Sequence, residues 1–571
     1  MKKVLALLLA LVMIAAIIAG CSGNTTTATS ASPTTKSTTT ASPTTVEESI
    51  INTESTYPVL KEAGSVTLSA TIRMNDGAND PKDIWFFDWW QKETGVNLEL
   101  TGVSATAWDT RKAVILAGGD IDDILMGAFW TPVELMQYGQ EEHLFADVRA
   151  EVEAYAEQLN AKMDVCSGAK EAIILPDGGV YALPSIGNTD ETLIFASYNN
   201  YINTEWLETL ALEKPETLDD FYNALVAFRD GDPNGSSTAD EIPWSGVWGP
   251  KDRQVVLQAY GFVTNGMAGD MAMKNGNPCY IPLDDDYRNY LTYMNKLYTE
   301  ELLDADIFTQ DTTAWYAKGA DMKIGILTST APYQVVGTDI TKAGQYEAFL
   351  LVDQAGDTPI ASQSYAYTVG RVVFSSGCEN LDVAVRLVDS LYENITSTMA
   401  FYGPMVGHKA YDDYGEEYKM GFEVMYNDQG VWSSYNNLLY NKDTDGTLWD
   451  YLNKNNPLTL NFITGVYCRM VEFNADPFAN SIDYEASWRS SSRDNILPHI
   501  EYVYPTVYLD KESSEKVKEI YTILSDYVNT MEAKFITGAE PLSNYPAFVS
   551  ELKNLGAEEF ATIYLDAYNN R

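Results

Sequence analysis

From Val66 to Met126 the hydrophobic period switches repeatedly between two and 3.6 residues, and few folds accept that pattern. Val66 to Arg73 (VTLSATIR) alternates and is β-branched, so it reads as a strand. Asp83 to Thr94 reads as a helix, Val96 to Val103 as a strand, Trp108 to Leu116 as a helix and Asp120 to Met126 as a strand. Strands alternating with helices imply βαβ units and a parallel sheet. The pattern returns at Lys323 to Leu327 and Tyr367 to Phe374, each a strand, and at Asn380 to Tyr392, a helix.

Two further stripes read as packing faces. Leu218, Phe221, Leu225 and Phe228 share one side of a helix that starts at Thr217, with Asp220 placed as in a capping box. Val517, Ile520, Leu524, Tyr527, Val528 and Met531 form a second stripe, stopped by Gly538 and Pro541. The expected architecture is α/β, with two lobes and a chain that crosses between them more than once, first near Leu193 to Asn199. The expected division is 61–192 in lobe 1, 193–345 in lobe 2, 346–400 in lobe 1 and 401–571 in lobe 2.

The 571 residues are enough for two or more cores. Acidic side chains outnumber basic ones 81 to 37, a net charge of −44 that repels nucleic-acid phosphates and anionic lipid heads. The five cysteines, Cys21, Cys166, Cys279, Cys378 and Cys468, contain no CxxC pair, and their spacing is compatible with disulfides or with free thiols. There are three histidines, His143, His408 and His499, and no GxSxG, HExxH, P-loop or GxGxxG motif. His-based catalysis and zinc sites are therefore not expected, while 81 acidic side chains leave a catalytic carboxylate pair open.

The first residues carry an address. Lys2 and Lys3 precede an apolar run from Val4 to Ile18, then Ala19, Gly20 and Cys21. A basic start, an apolar stretch and small residues before a cut make a secretory signal, here residues 1–20. Ile18-Ala19-Gly20-Cys21 resembles a bacterial lipobox, which implies cleavage before Cys21 and acylation of its thiol. Acyl chains anchor strongly, since each buried methylene contributes roughly 0.8 kcal/mol. Residues 21–60 follow as a linker, nearly all Ser, Thr, Ala, Pro, Gly and Asn from Ser22 to Thr45, which cannot bury a core. The expected location is the outer face of a bacterial cell membrane, reached through lipid alone.

Five stretches resemble the extracellular solute-binding protein family in its large oligosaccharide-binding lipoprotein branch. Leu116-Ala117-Gly118-Gly119-Asp120-Ile121-Asp122-Asp123-Ile124 is similar to the family's "ASGDLPDI" turn. Pro176 to Pro184 is similar to "DGKIYGLP", and Asn203 to Phe221 to "NKKWLDKLGLKVPTTLDEF". Lys534-Phe535-Ile536-Thr537-Gly538, followed by Glu540-Pro541-Leu542, resembles the terminal helix signature, and Tyr402-Gly403-Pro404 a "YGPEG" loop. The resemblance implies the two-lobe periplasmic-binding-protein-like fold with a ligand cleft at the hinge. It also implies a carbohydrate ligand and delivery to the permease of an ABC importer, and it is this resemblance that makes the chain read as a non-enzyme.

One loop has metal chemistry. In Asp232-Pro233-Asn234-Gly235-Ser236-Ser237-Thr238-Ala239-Asp240-Glu241 the oxygen side chains of Asp232, Asn234, Ser236 and Asp240 alternate along a Pro/Gly turn. Calcium takes six to eight oxygens, and the Thr238 carbonyl and Glu241 carboxylate would add to that set. The loop lacks the sixth-place Gly and twelfth-place Glu of an EF-hand, and a solvated Asp/Asn turn is the competing reading. It resembles the family's "DPNGNGKKDEIP" calcium loop, which implies structural calcium.

In paired α/β lobes, ligands sit beyond the carboxyl ends of strands. That places Asp76 (beside Asn75), Trp130 (beside Phe129) and Ser329 (beside Thr330) near the mouth, with Tyr198, Asn199 and Trp248 close by. Aromatic faces stack on sugar C–H patches, while amides and carboxylates take hydroxyls. Trp206 belongs to the packing motif. A secreted glycoside hydrolase, needing two carboxylates at a set separation, and a surface sensor or adhesin on the same fold are the alternatives.

Overall fold

The structure is a computed structural model that describes residues 49–119, 121–187, 198–266, 269–337, 339–426, 432–438, 441, 448–460 and 490–571. Cys21, the lipobox, the linker as far as residue 48, the 193–197 segment and Cys468 lie outside the described residues.

Lobe 1 is built on β1 (Thr67–Met74), β2 (Asn97–Ser104), β3 (Ile124–Met126) and β4 (Leu183–Ile186), joined later by β12 (Tyr367–Phe374). Its strand order is β2-β1-β3-β12-β4. β1 is parallel to β2 and to β3, with Ala70 opposite Ile124. Leu68, Ala70, Ile72 and Met74 point into one core, against Trp85 and Trp90 of the Trp85–Thr94 helix. Leu125 and Val373 point into a second core with Trp108, on the other side of the sheet. Helices on both faces follow from this two-sided apolar pattern.

The expected strand at Asp120–Met126 shortens to Ile124–Met126. Asp122 and Asp123 turn back on β1 instead: Asp123 Oδ2 accepts from Ser69 N–H (2.8 Å) and Asp122 Oδ2 from Thr71 Oγ1 (2.5 Å).

Lobe 2 holds β5 (Asn199–Asn203), β6 (Ile242–Trp244), the hairpin β7 (Met271–Lys274) and β8 (Asn277–Tyr280), β9 (Ile324–Ser329) and β10 (Tyr346–Ala348). Its main sheet runs β10-β5-β9-β6, with β6 parallel to β9 and the other two pairings antiparallel. The Leu218–Asp230 helix packs on it through Phe221, Leu225 and Phe228. Gly325 lets them meet, because a Cβ there would stand 2.6 Å from the Phe228 ring. The long Lys511–Thr537 helix adds Ile520, Leu524 and Val528 to the same core and ends at Gly538 (φ 76°).

The chain leaves lobe 1 after β4 and returns through β11 (Ala361–Gln363) into β12 (Tyr367–Phe374). β12 lies antiparallel to β3. It arrives from the second lobe rather than by a crossover helix, so nothing forces it parallel. The strands β13 (Gly421–Tyr426) and β14 (Trp432–Leu438) pair as an antiparallel ribbon. β15 (Ile500–Tyr502) then runs parallel to β11 between the lobes. Tyr365 stacks on Tyr502 at 4.8 Å across this two-stranded hinge. Thr264 N–H of lobe 2 donates to Ser362 Oγ at 3.1 Å, and Gly187 N–H of lobe 1 donates to Ala366 O.

The structure moves three of the boundaries drawn from sequence. Ile51, Val59 and Leu60 are in the lobe 1 core, so the folded body begins within the expected 21–60 linker. β10 pairs with β5, and Phe349 and Leu351 pack with Phe221, so 346–352 stays with lobe 2. Tyr402, Tyr414, Phe422, Leu452 and Leu460 pack in the lobe 1 core, which takes 401–460 away from lobe 2. Amphipathic segments announce that they bury a face, without naming which core receives it.

Burial pushes the thiols of Cys279 and Cys378 up to about 12.

Candidate functional site

The carboxyl ends of β6 and β9 and the start of β5 meet at one edge of lobe 2. Asn199 faces Ser329 directly in the β5–β9 ladder. Both are buried, and the Ser329 hydroxyl donates to Ala331 O at 2.8 Å. Tyr198, one residue earlier, is 52% exposed. Lys251 Nζ stands 5.5 Å from the Tyr198 ring and 4.3 Å from the Trp315 ring. Burial lowers the Lys251 ammonium from its ordinary value.

Trp248 borders a cavity of about 380 Å³ whose lining includes Gly249, Arg253, Asp270, Tyr521 and Asn529. Its ring packs on Phe308 at 4.8 Å and its Nε1–H donates to Glu532 Oε1 at 3.2 Å. Glu532 is held in turn by Arg253 (3.1 Å) and by the Tyr287 hydroxyl (2.7 Å). Trp248 thus presents one face to the cavity while its edge is fixed by a buried network. A hollow of about 470 Å³ beside β2, lined by Ser69, Phe87, Gln91 and Asp122 among others, lies away from the strand ends.

At the carboxyl end of the lobe 1 sheet the two neighbours Phe129 and Trp130 part. Phe129 is 52% exposed, whereas Trp130 is 2% exposed and packs edge-to-face on Phe145 at 4.9 Å. Trp130 also lies under Lys112 Nζ (4.9 Å), and its backbone N–H donates to Gly370 O at 2.9 Å. It is a core residue, not one that reaches the mouth. Asp76 is exposed, and its Oδ1 accepts from Thr106 N–H (3.1 Å) and Oγ1 (2.9 Å) at the start of the Ala105–Gly118 helix. So the structure brings together Tyr198, Asn199, Ser329 and Lys251, places Trp248 on a cavity, and leaves Trp130 inside. Sequence reasoning did not single out Lys251, which stands beside Tyr198.

The Asp232–Glu241 loop leaves the Leu218–Asp230 helix through Gly231. Asp240 Oδ1 accepts from Asn234 Nδ2 (3.1 Å) and Ser236 Oγ (2.8 Å), and Asp232 Oδ2 accepts from Ser237 N–H (3.1 Å). Lys323 Nζ lies 3.4 Å from the other Asp240 oxygen. Both Glu241 carboxylate oxygens are buried with no hydrogen-bond partner. Burial, then Asp232 and Asp240, raise its pKa. Among the described residues no three His, Cys, Asp or Glu side chains cluster as metal ligands. Asp232, Asp240 and Glu241 are thus not gathered as one ligand set, and the Asp240 oxygens are engaged by Asn234, Ser236 and Lys323. A cation held by this loop would have to draw the carboxylates together, giving Glu241 the partner it lacks.

Two α/β lobes on separate sheets, joined by a two-stranded hinge and carrying aromatic and polar groups at their strand ends, define a two-lobe solute-binding fold. The chain is similar to a substrate-binding protein of an ABC transporter and to a bacterial lipoprotein. The fructooligosaccharide ABC transporter substrate-binding protein FusA of Streptococcus pneumoniae is 24% identical over 530 residues, 90% of this chain and 92% of FusA. Lipoprotein LipO of Bacillus subtilis is 25% identical over 259 residues, 42% of this chain and 45% of LipO. The structure of FusA in complex with kestose superposes with a TM-score of 0.63 at 22% identity, covering 88% of this chain and 99% of FusA. An HMO-binding ABC-transporter-associated solute-binding protein from Bifidobacterium longum infantis gives a TM-score of 0.67 at 21% identity, over 89% of this chain and 99% of that one. No family model matches the chain.

Proposed function

We propose that this protein is the extracellular, lipid-anchored solute-binding component of an ABC importer, and that it captures an oligosaccharide and presents it to the permease. The observation that carries this reading is the match to FusA along 90% of the chain. The chemistry of the strand ends supports it: exposed Tyr198 and Phe129 rings for sugar C–H faces, with polar groups beside them. The protein holds its ligand without altering it, by closing two lobes about the β11–β15 hinge. The anchor is Cys21. Among the described residues no helix is long and apolar enough to cross a membrane.

In this reading the Asp232–Glu241 loop binds calcium as a structural ion. The orphaned Glu241 carboxylate supports it. One FusA structure is described as an EF-hand mutant in complex with fructo-nystose, which fits a cation loop in that relative. Titration calorimetry of the purified protein against neutral and acidic oligosaccharides, with chromatography of the recovered sugar, tests the function. Saturable one-to-one binding with sugar recovered intact is expected. Cleaved sugar makes the protein a glycoside hydrolase, and absence of any sugar binding removes the reading.

A further inference from the structure

Three arginines are buried in the described part of this molecule, and they are not alike. Arg253 meets Asp270 at 2.6 Å, and Arg386 meets Asp389 at 2.8 Å. Arg371, on β12 and only 7% exposed, has no carboxylate partner among the described residues. Its Nη2 donates to Thr459 O at 2.8 Å, its Nη1 reaches Ala128 O at 3.4 Å, and its Nε is buried without a partner.

A second guanidinium stands close by. Arg73, at the end of β1, lies 5.3 Å from the Phe129 ring, and Arg371 lies 4.3 Å from the same ring. Burial, and then the charge of Arg73, bring Arg371 down to about 10. Two like charges gathered around one half-exposed ring repel each other, and the low-dielectric setting of Arg371 strengthens that repulsion. Scarcity of acids does not explain it, since the chain has 81 of them against 37 bases. The cluster sits at the carboxyl end of the lobe 1 sheet, on the side where this fold receives its ligand.

We infer that Arg73, Arg371 and Phe129 form a subsite for an anionic substituent of the sugar, a carboxylate or a sulfate ester, so that the ligand is an acidic oligosaccharide. The inference rests on the oligosaccharide-binding reading above. Guanidinium forks match the paired oxygens of either group. The exposed face of Phe129 offers the ring of that same residue a stacking surface. Binding supplies the carboxylate or sulfate partner that Arg371 lacks among the described residues.

The test is titration calorimetry of the wild-type protein and of Arg73→Gln with neutral, uronate-bearing and sulfated oligosaccharides of matched length, at low and at high salt. Arg73 is part-exposed, so its variant should fold, and a thermal melt checks this; Arg371→Gln is the second variant. The acidic sugar is expected to bind about tenfold or more tightly than its neutral match, roughly 1.4 kcal/mol. Salt and Arg73→Gln should each erase most of that preference. A response to only the uronates or only the sulfates identifies the anion. Equal affinity for neutral and acidic sugars, unchanged in Arg73→Gln, overturns the subsite and leaves the transport reading standing. If neither neutral nor acidic sugars bind, both readings fall.

Discussion

Asp252 lies so close to Gly246 that a Cβ on the glycine would stand 2.2 Å from Asp252 Oδ1. Both Asp252 oxygens are buried without a hydrogen-bond partner, and burial raises the carboxyl to about 7, only partly opposed by Lys251. Gln310 closes the other side by donating to Gly246 O at 2.6 Å. A carboxyl whose folded pKa exceeds its unfolded one keeps its proton longer in the folded state, so stability falls as pH rises from about 4 to 7. Asp252→Asn should therefore be more stable than wild type at pH 8, by more than about 1 kcal/mol, and lose that advantage near pH 4. Urea unfolding at the two pH values reads the difference. Gly246→Ala, which forces the carboxylate to shift, should cost about 1–3 kcal/mol at either pH.

The Thr217 hydroxyl accepts from Asp220 N–H at 3.1 Å, and Asp220 Oδ2 accepts from Thr217 N–H at the same distance. This reciprocal cap starts the Leu218–Asp230 helix, the main cover of the lobe 2 sheet. Thr217→Ala should destabilise the protein by about 0.5–2 kcal/mol, while Thr217→Ser keeps most of the cap. Thermal unfolding of the three proteins ranks them, and equal melting of the Ala variant and wild type would count against the cap.

That helix also shows what one sequence can tell. Its start, its apolar stripe and its neighbour strand β9 are local matters, set by side chains a few residues apart, and all three can be read from the chain. So can β1, whose Leu68, Ala70, Ile72 and Met74 are buried as its pattern implies, although Thr71 between them is buried as well. Partnership across long separations is different. Nothing local says that Phe422 and Leu460 join Trp85 rather than Trp244, and the 401–460 assignment therefore fails. The same limit separates Phe129 from Trp130. Both are large aromatics at a strand end, and only the packing of Trp108 and Phe145 decides which one turns inward. Arg371 comes from a strand more than two hundred residues after Phe129, so their meeting is a product of the lobe crossing.

Calcium should raise the melting temperature of the wild-type protein, and chelation should lower it. A ligand at a hundred times its Kd adds about 2.7 kcal/mol if it binds only the folded state. Glu241→Gln removes the charge of the one carboxylate that has no partner in the loop. In that variant the calcium-dependent gain should shrink to a fraction of the wild-type value. A melt of Glu241→Gln that rises with calcium as much as wild type would show that the ion sits elsewhere. Magnesium, which demands tighter octahedral geometry, is the control.

Tyr198 and Trp130 were equal candidates on sequence, and their environments now separate their roles. The Tyr198 ring is 52% exposed beside Lys251, so Tyr198→Ala gives up little packing. Its melting temperature should match wild type, while oligosaccharide affinity drops by about tenfold, the scale of one lost aromatic contact. Trp130 is 2% exposed between Trp108 and Phe145. Trp130→Ala should cost about 3–5 kcal/mol of stability through the cavity it leaves. The molecules that remain folded should bind sugar nearly as wild type does. Calorimetric titration paired with a thermal melt of each variant checks both halves. A Tyr198→Ala protein with unchanged affinity would remove that ring from the site, and a thermally unaltered Trp130→Ala protein that fails to bind would return Trp130 to it.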